Sequence, residues 1–498
     1  MQDKNMSYIS HAGTWLTDEA GRVVQVHGLR VNYIKDPPYM EEISDEDLAF
    51  LASEGLNAMR VNWTWGHAEP EPGVYNDEYL DSIVTLNDRL AKFGIRSLIG
   101  MVGSFGGFHA PAWAHVNRYF GRNRTLMEYF AEEREPQTGG LDGTTKRSER
   151  EMEAWDNFYA DALAPDDVGV MTHCANTWKR LASRLESKSN VFALDLFHEP
   201  APGYEFEVLH DEVRFFTEPV LFEIKKLWRF HRKFIREVRE ADKRHILFYA
   251  GSCYHTSEQY ANFKVNMPAN FSDDENIGYS THISCHDAGK LTPEKFRSNI
   301  NKALDNQWGH AAESDIAFVV SGFRHTLEPS VYANFIDTLA ARNIPWTYFT
   351  FRGVQAGPTD SKLSLLKDPA KTAAPDNVKD DFWDAFVVPY AQLTAGTPVS
   401  CNFNRDTKVL EYKYSTAPAG KTPIAPGAAT EIFIPVRHYP TGYSVEVSGA
   451  AVKSHETSAW VVLENDENAK EVCVTVRPKD NSFTERASWG FGPTSAVR

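Results

Sequence analysis

The sequence predicts an α/β protein: a (β/α)8 barrel followed by a C-terminal β-sandwich. Three observations carry this reading. Short apolar runs alternate with amphipathic helical segments through about residue 395, and strand–helix alternation implies a parallel sheet. There are eight such units, which implies that the sheet closes into a barrel. No GxGxxG follows any of the strands, which counts against an open doubly wound sheet. After Gln392-Leu393-Thr394-Ala395-Gly396-Thr397-Pro398 the pattern changes to short alternating strands bounded by Gly, Pro, Asn and Asp. A small sandwich gives that pattern.

In chain order the barrel strands are expected at Val24–Tyr33, Leu56–Asn62, Ile95–Val102, Val191–Phe197, Ile246–Ala250, Ile277–Ser284, Ile316–Ser321 and Pro345–Thr350. Helical spacing of apolar residues falls between them at Ser44–Leu51, Glu78–Phe93, His173–Leu185, Pro219–Ala241, Pro293–Leu304 and Val331–Ala341. Residues 1–395 are read as the barrel domain and 396–498 as the sandwich. The sandwich strands are expected at Val409–Tyr414, Thr430–Pro435, Ser444–Val447, Ala459–Leu463 and Glu471–Val476. An insertion at about 103–170 exceeds an ordinary βα loop and carries Phe105, Phe108, Trp113, Trp155 and Phe158 among its aromatics. It is expected over the barrel mouth, with 132–150 polar enough to be mobile.

Composition excludes some functions. Net charge is −16, from 52 basic and 68 acidic residues, which argues against nucleic acid or an anionic membrane as a default partner. Five widely spaced cysteines with no CxxC read as free thiols rather than a disulfide framework. Met1–Met6 has no apolar core of signal-peptide length. The chain is therefore expected to be cytoplasmic, or secreted if a leader has been removed.

The candidate chemistry centres on Glu199. Leu194-Asp195-Leu196-Phe197-His198-Glu199-Pro200 ends the fourth strand, and that end faces the mouth, where barrel enzymes keep their sites. A carboxyl partly buried among aromatics has its pKa raised, as a general acid requires. The competing reading is a structural carboxylate capping the next helix. Metal ligation is not expected. In His282-Ile283-Ser284-Cys285-His286-Asp287, Cys285 points away from the face shared by His282 and His286, and no local spacing supplies three convergent ligands. His109, His255 and His325 read as mouth-lining or loop residues, and no cofactor is expected. Trp63, Trp65, Trp113, Trp155, Trp346, Phe349 and Phe351 fit either mouth-lining aromatics or core, with core at least as good for Trp63 and Trp155.

Several stretches then resemble a family. Leu29-Arg30-Val31-Asn32 with Lys35, Leu56-Asn57-Ala58-Met59-Arg60-Val61, and Trp65 to Glu69-Pro70 with Gly73-Val74-Tyr75 resemble the opening of family 5 glycoside hydrolases. Ala110-Pro111-Ala112-Trp113-Ala114, His198-Glu199-Pro200 and Trp346-Thr347-Tyr348 continue the likeness. Ala395-Gly396-Thr397-Pro398 and Glu431–Pro435 through Tyr439–Tyr443 resemble the C-terminal sandwich of endoglycoceramidases, which cut the bond between glycan and ceramide in glycosphingolipids. The resemblance implies a retaining mechanism with two carboxylates about 5–5.5 Å apart. Glu199 matches the acid/base. The nucleophile should be a glutamate where Ile316–Ser321 runs into Gly322-Phe323-Arg324. Arg60 matches an arginine that holds the nucleophile, with a barrel salt bridge as its alternative. Lys35, His198, His282, Trp65, Trp346 and Phe349 are implied substrate contacts, Trp346 as a sugar platform.

The departures from the family pattern cluster at the site. His198 stands where Asn is usual, and Gly100-Met101-Val102-Gly103 replaces an Asp-x-His type strand end. Ile283-Ser284-Cys285 follows His282 without the expected aromatic hydroxyl, and Phe349 replaces a Trp. Glycine cannot form a glycosyl-enzyme, so double displacement should stop at its first step. Hydrolysis is expected to be nearly silent, by drift or by deliberate replacement, while glycosphingolipid binding persists. The alternatives are a redirected catalyst using Glu199 or His198 as base on a small substrate, and a glycolipid-binding protein without turnover. A monomer is expected, touching a membrane surface where its ligand is a membrane lipid.

Overall fold

The computed structural model describes residues 6–32, 43–102, 110–114, 149–206, 219–256, 264–268, 270–284, 292–324, 329–352 and 364–479. Eight strands close into a parallel barrel: His27–Asn32, Ala58–Thr64, Arg96–Val102, Val191–Asp195, Ile246–Ala250, Ile277–Ser284, Ala317–Arg324 and Trp346–Tyr348. Each falls within a few residues of its predicted place. The expected mobility of 132–150 and Lys35 fall almost wholly outside the described residues, although a helix, Glu149–Tyr159, begins at the end of that stretch.

Alternation along each strand sorts side chains between two cores. On the second strand Met59, Val61 and Trp63 point outward and pack under the helices, while Ala58 faces the barrel interior. The helix Asp77–Lys92 shows how the outer layer forms. Leu80, Ile83, Leu86 and Leu90 recur at helical spacing on its buried face. The Asn76 side chain accepts from Tyr79 N at 3.1 Å, a cap worth about 0.5–2 kcal/mol. The bottom of the barrel is filled by Val26, Ala58, Leu98, Phe192, Ala193, Ile246, Phe248, Ala317 and Val319.

One feature has no counterpart in the sequence reading. Ile9–Ala12 and Trp15–Asp18 form an antiparallel hairpin, and Ile9 and Leu16 pack into the apolar bottom of the barrel. With Val23–Val24 this hairpin extends a seven-stranded sheet built otherwise from Tyr390–Thr394, Thr430–Phe433, Trp460–Asn465 and Ala450–Val452. Val24 pairs with Leu393 and Val23 with Thr394. A second, four-stranded sheet orders Thr397–Asn404, Val409–Ser415, Glu471–Pro478 and Tyr443–Ser448. The two antiparallel sheets make the sandwich. No helix among the described residues is long and apolar enough to cross a membrane.

Candidate active site

Inward-facing polar residues occupy the barrel above its apolar floor. Arg60 on the second strand and Asp195 on the fourth form an ion pair in which both side chains are wholly buried. Arg60 Nε donates to Asn62 Oδ1 at 2.8 Å, and Ser280 Oγ donates to Asp195 Oδ1 at 2.8 Å. Gly100 leaves the space this arginine fills, since a Cβ there would sit 2.7 Å from Arg60 Nη2. The Arg60 guanidinium is thus engaged inside the barrel by Asp195 and Asn62. Asp195 was legible as the one charge in an otherwise apolar strand, Val191-Phe192-Ala193-Leu194-Asp195.

At the mouth, the backbone beyond the fourth strand turns through His198 and Glu199. His198 N donates to Met101 O at 3.1 Å, which ties this turn to the third strand. Glu199 has φ +48°, a left-handed conformation that non-glycine residues adopt rarely and at a cost of about 1–3 kcal/mol. Both side chains are buried, and His198 Nε2 stands 3.6 Å from Glu199 Oε2. The sixth strand brings His282 beside them. Its ring stands edge-on to that of His198, with centroids 3.7 Å apart and planes at 87°.

The seventh strand carries a bulge. Val320 pairs with Thr281 and Gly322 with His282, so Ser321 is the extra residue. Ser321 is fixed on both sides: its Oγ donates to Thr281 O at 3.3 Å, and its carbonyl accepts from Thr347 Oγ1 at 2.6 Å. The bulge turns Gly322 toward the sixth strand. A Cβ on Gly322 would lie 2.3 Å from His282 Cδ2 and 2.9 Å from Nε2. The missing side chain and the position of His282 are thus one packing arrangement.

The aromatic expectations fare differently. Trp346 is not a platform at the mouth. It is wholly buried on the outward face of the eighth strand, stacked on His27 at 4.7 Å and near Phe323 and Phe386. Inward-facing Thr347 alternates with it. Trp65 is also structural: its indole N–H donates to Glu69 Oε2 at 2.7 Å, and its ring meets Trp113 edge-on. Glu69 is a buried hub that also accepts from Thr177 Oγ1 at 2.6 Å and Gly73 N at 2.9 Å. Phe349 lies at the barrel end under the Arg30 guanidinium, 4.5 Å from its ring centroid, and the Phe349–Thr350 peptide is cis. Lys35, His109, Cys285, His286, Asp287 and His325 lie outside the described residues.

A second polar cluster follows the fifth strand and was not read from the sequence. His255 Nε2 is 2.6 Å from Glu223 Oε1, and Asn266 N donates to Glu223 Oε2 at 2.7 Å. Burial alone would raise the Glu223 carboxyl, but His255 and the backbone N–H groups of Asn266 and Ser252 hold it below its usual value. Glu223 sits in a π-helical turn, Glu223–Leu227, that no periodicity argument marks.

Among the described residues, the mouth offers one buried carboxylate, Glu199, beside two imidazoles. Such a group can give or take a proton.

Comparison with known proteins agrees with this architecture. Residues 17–353 match the family model described as Cellulase (glycosyl hydrolase family 5), and residues 389–477 match the family 5 C-terminal domain. Endoglycoceramidase I of Rhodococcus hoagii (strain 103S) is 24% identical over 459 residues, covering 89% of this chain and 82% of the relative. An endoglycoceramidase of Hydra vulgaris is 24% identical over 495 residues, covering 94% and 89%. Among solved structures, endo-glycoceramidase II from Rhodococcus sp. in a ganglioside GM3 complex superposes with a TM-score of 0.70 at 20% identity. That match spans 94% of this chain and 99% of the other. Cryptococcus neoformans sterylglucosidase 1 reaches 0.70 at 13% identity, over 95% and 97%. The structural likenesses speak for the fold; the family model, which spans well over half of the sequence, shows that this chain belongs to glycosyl hydrolase family 5.

Proposed function

We propose that this chain is an endoglycoceramidase-like protein that takes a glycosphingolipid at the barrel mouth, with Glu199 as its proton donor and Gly322 where the nucleophile of double displacement would stand. The observation that carries this is Gly322. It stands in the seventh strand where the resemblance expects a second carboxylate, and the space its side chain would need is taken by His282. A second observation supports it. Arg60, matched to the arginine that holds the nucleophile, keeps Nη2 buried with no hydrogen-bond partner among the described residues. Relatives named endoglycoceramidase along most of the chain supply the substrate class.

In the retaining mechanism the acid protonates the leaving oxygen while the nucleophile attacks the anomeric carbon. Glu199 can supply the proton. With glycine at the nucleophile position, substrate should bind and stay intact. The test is a fluorescent glycosylceramide in detergent micelles, followed for binding by anisotropy and for hydrolysis by product release. We expect saturable binding, with turnover at least about a thousandfold below an ordinary enzyme rate of ~10 s⁻¹. Turnover near that ordinary rate, abolished by Glu199→Gln, would mean that another nucleophile exists. Absence of both binding and hydrolysis would sink the glycolipid reading itself.

A further inference from the structure

We propose that His198, Glu199 and His282 form a binding site for one divalent first-row transition-metal ion, of the zinc or iron(II) class. Two of the side chains follow the fourth barrel strand and the third lies on the sixth, and each offers one donor atom within 4.8 Å of the other two. His198 Nε2 and Glu199 Oε2 are already 3.6 Å apart. A tetrahedral ion with bonds of about 2.0–2.2 Å holds its ligand atoms roughly 3.4 Å from one another. Closing the widest gap therefore asks for at most about 1.4 Å of movement, within the reach of side-chain torsions.

Two features suit these donors to an ion. The first is donor type. Two imidazoles with one carboxylate suit zinc or iron(II), whereas magnesium and calcium take oxygen ligands. The second is construction. His282 can stand where it does because Gly322 lacks a Cβ, and Glu199 is held in a left-handed backbone conformation that turns it beside His198. Three protein ligands leave a fourth position open for water or another small ligand. Glu199 cannot hold the ion and donate a proton at the same time, so the metal-bound chain is one that does not protonate a leaving group.

The test uses the full chain, stripped with a chelator and titrated without lipid. Zn²⁺ is followed by calorimetry and Co²⁺ by its visible absorption. One saturable equivalent is expected, with Co²⁺ bands of a low-symmetry nitrogen–oxygen site. Glu199→Gln, which keeps the shape of the side chain, and His282→Ala should each weaken binding by more than about a hundredfold, beyond the 10–100-fold usual for groups that only orient a ligand. Gly322→Ala, which crowds His282, should weaken it as well. Absence of saturable binding, or affinity and stoichiometry unchanged in Glu199→Gln and His282→Ala proteins that keep the wild-type circular dichroism, overturns the proposal.

Discussion

Gly322→Ala adds a single methyl group and tests whether His282 really occupies the space beside the seventh strand. The new Cβ would stand 2.3 Å from His282 Cδ2, while ordinary contact begins near 3.4 Å. The ring must therefore retreat by about 1.1 Å. It has little room to do so, because it is buried and meets the His198 ring at 3.7 Å. Inserting a methyl into a packed site of this kind costs about 1–3 kcal/mol. A control is available in the same domain. Gly309, within the helix Pro293–Glu313, has nothing within 4 Å of a built Cβ, and Ala there should gain roughly 0.5–1 kcal/mol from helix propensity. The two variants should thus differ by about 1.5–4 kcal/mol. Guanidinium unfolding of wild type and both variants, compared by midpoint at constant slope, measures this directly. If Gly322→Ala is as stable as wild type, His282 yields freely and the coupling between the two residues is refuted. Gly322→Glu begins with the same methyl clash, so restoring the carboxylate alone should leave glycosylceramide hydrolysis silent.

Two further outcomes follow from buried charges. Asp195→Asn leaves the Arg60 guanidinium buried without its counter-charge and should cost about 3–5 kcal/mol in the same unfolding assay; a loss below about 1 kcal/mol would show that Arg60 finds another acceptor. His27 is stacked between Trp346 and Tyr390, and burial lowers its pKa from 6.5 to about 3. The unfolded chain thus takes up this proton first. The stability it protects is complete above about pH 6.5 and falls by about 1.4 kcal/mol per pH unit as pH drops toward 3. His27→Phe keeps the stack and should flatten the slope between pH 6 and pH 4 by one proton; an unchanged slope would mean that His27 does not titrate in this way.

The barrel was legible because its signal is repeated eight times: an apolar run, a helical pattern, then another apolar run. The mouth was legible only where neighbours in sequence remain neighbours in space, as in His198-Glu199-Pro200. His282 could be singled out, but not its approach to His198, because the two sit on different strands. The bulge at Ser321 that sets the register of Gly322 against His282 leaves no pattern in the sequence. Trp346 was misplaced for a related reason. A strand of three residues offers one alternation, and only the neighbours of Thr347 reveal which face turns inward. The run from Trp65 to Glu69-Pro70 points to a ligand contact, and only the fold shows Glu69 as the buried acceptor for the Trp65 indole.

The pairing of Val23–Val24 with Leu393-Thr394 carries a consequence for how this chain is made. At synthesis rates of about 5–20 residues per second, the first 24 residues leave the ribosome on the order of 20–70 s before their sheet partners do. Through that interval Ile9 and Leu16 have either the half-built floor of the barrel or a chaperone to cover them, and the seven-stranded sheet stays unfinished. This pairing joins segments separated by most of the chain, which is the kind of closure that slows folding.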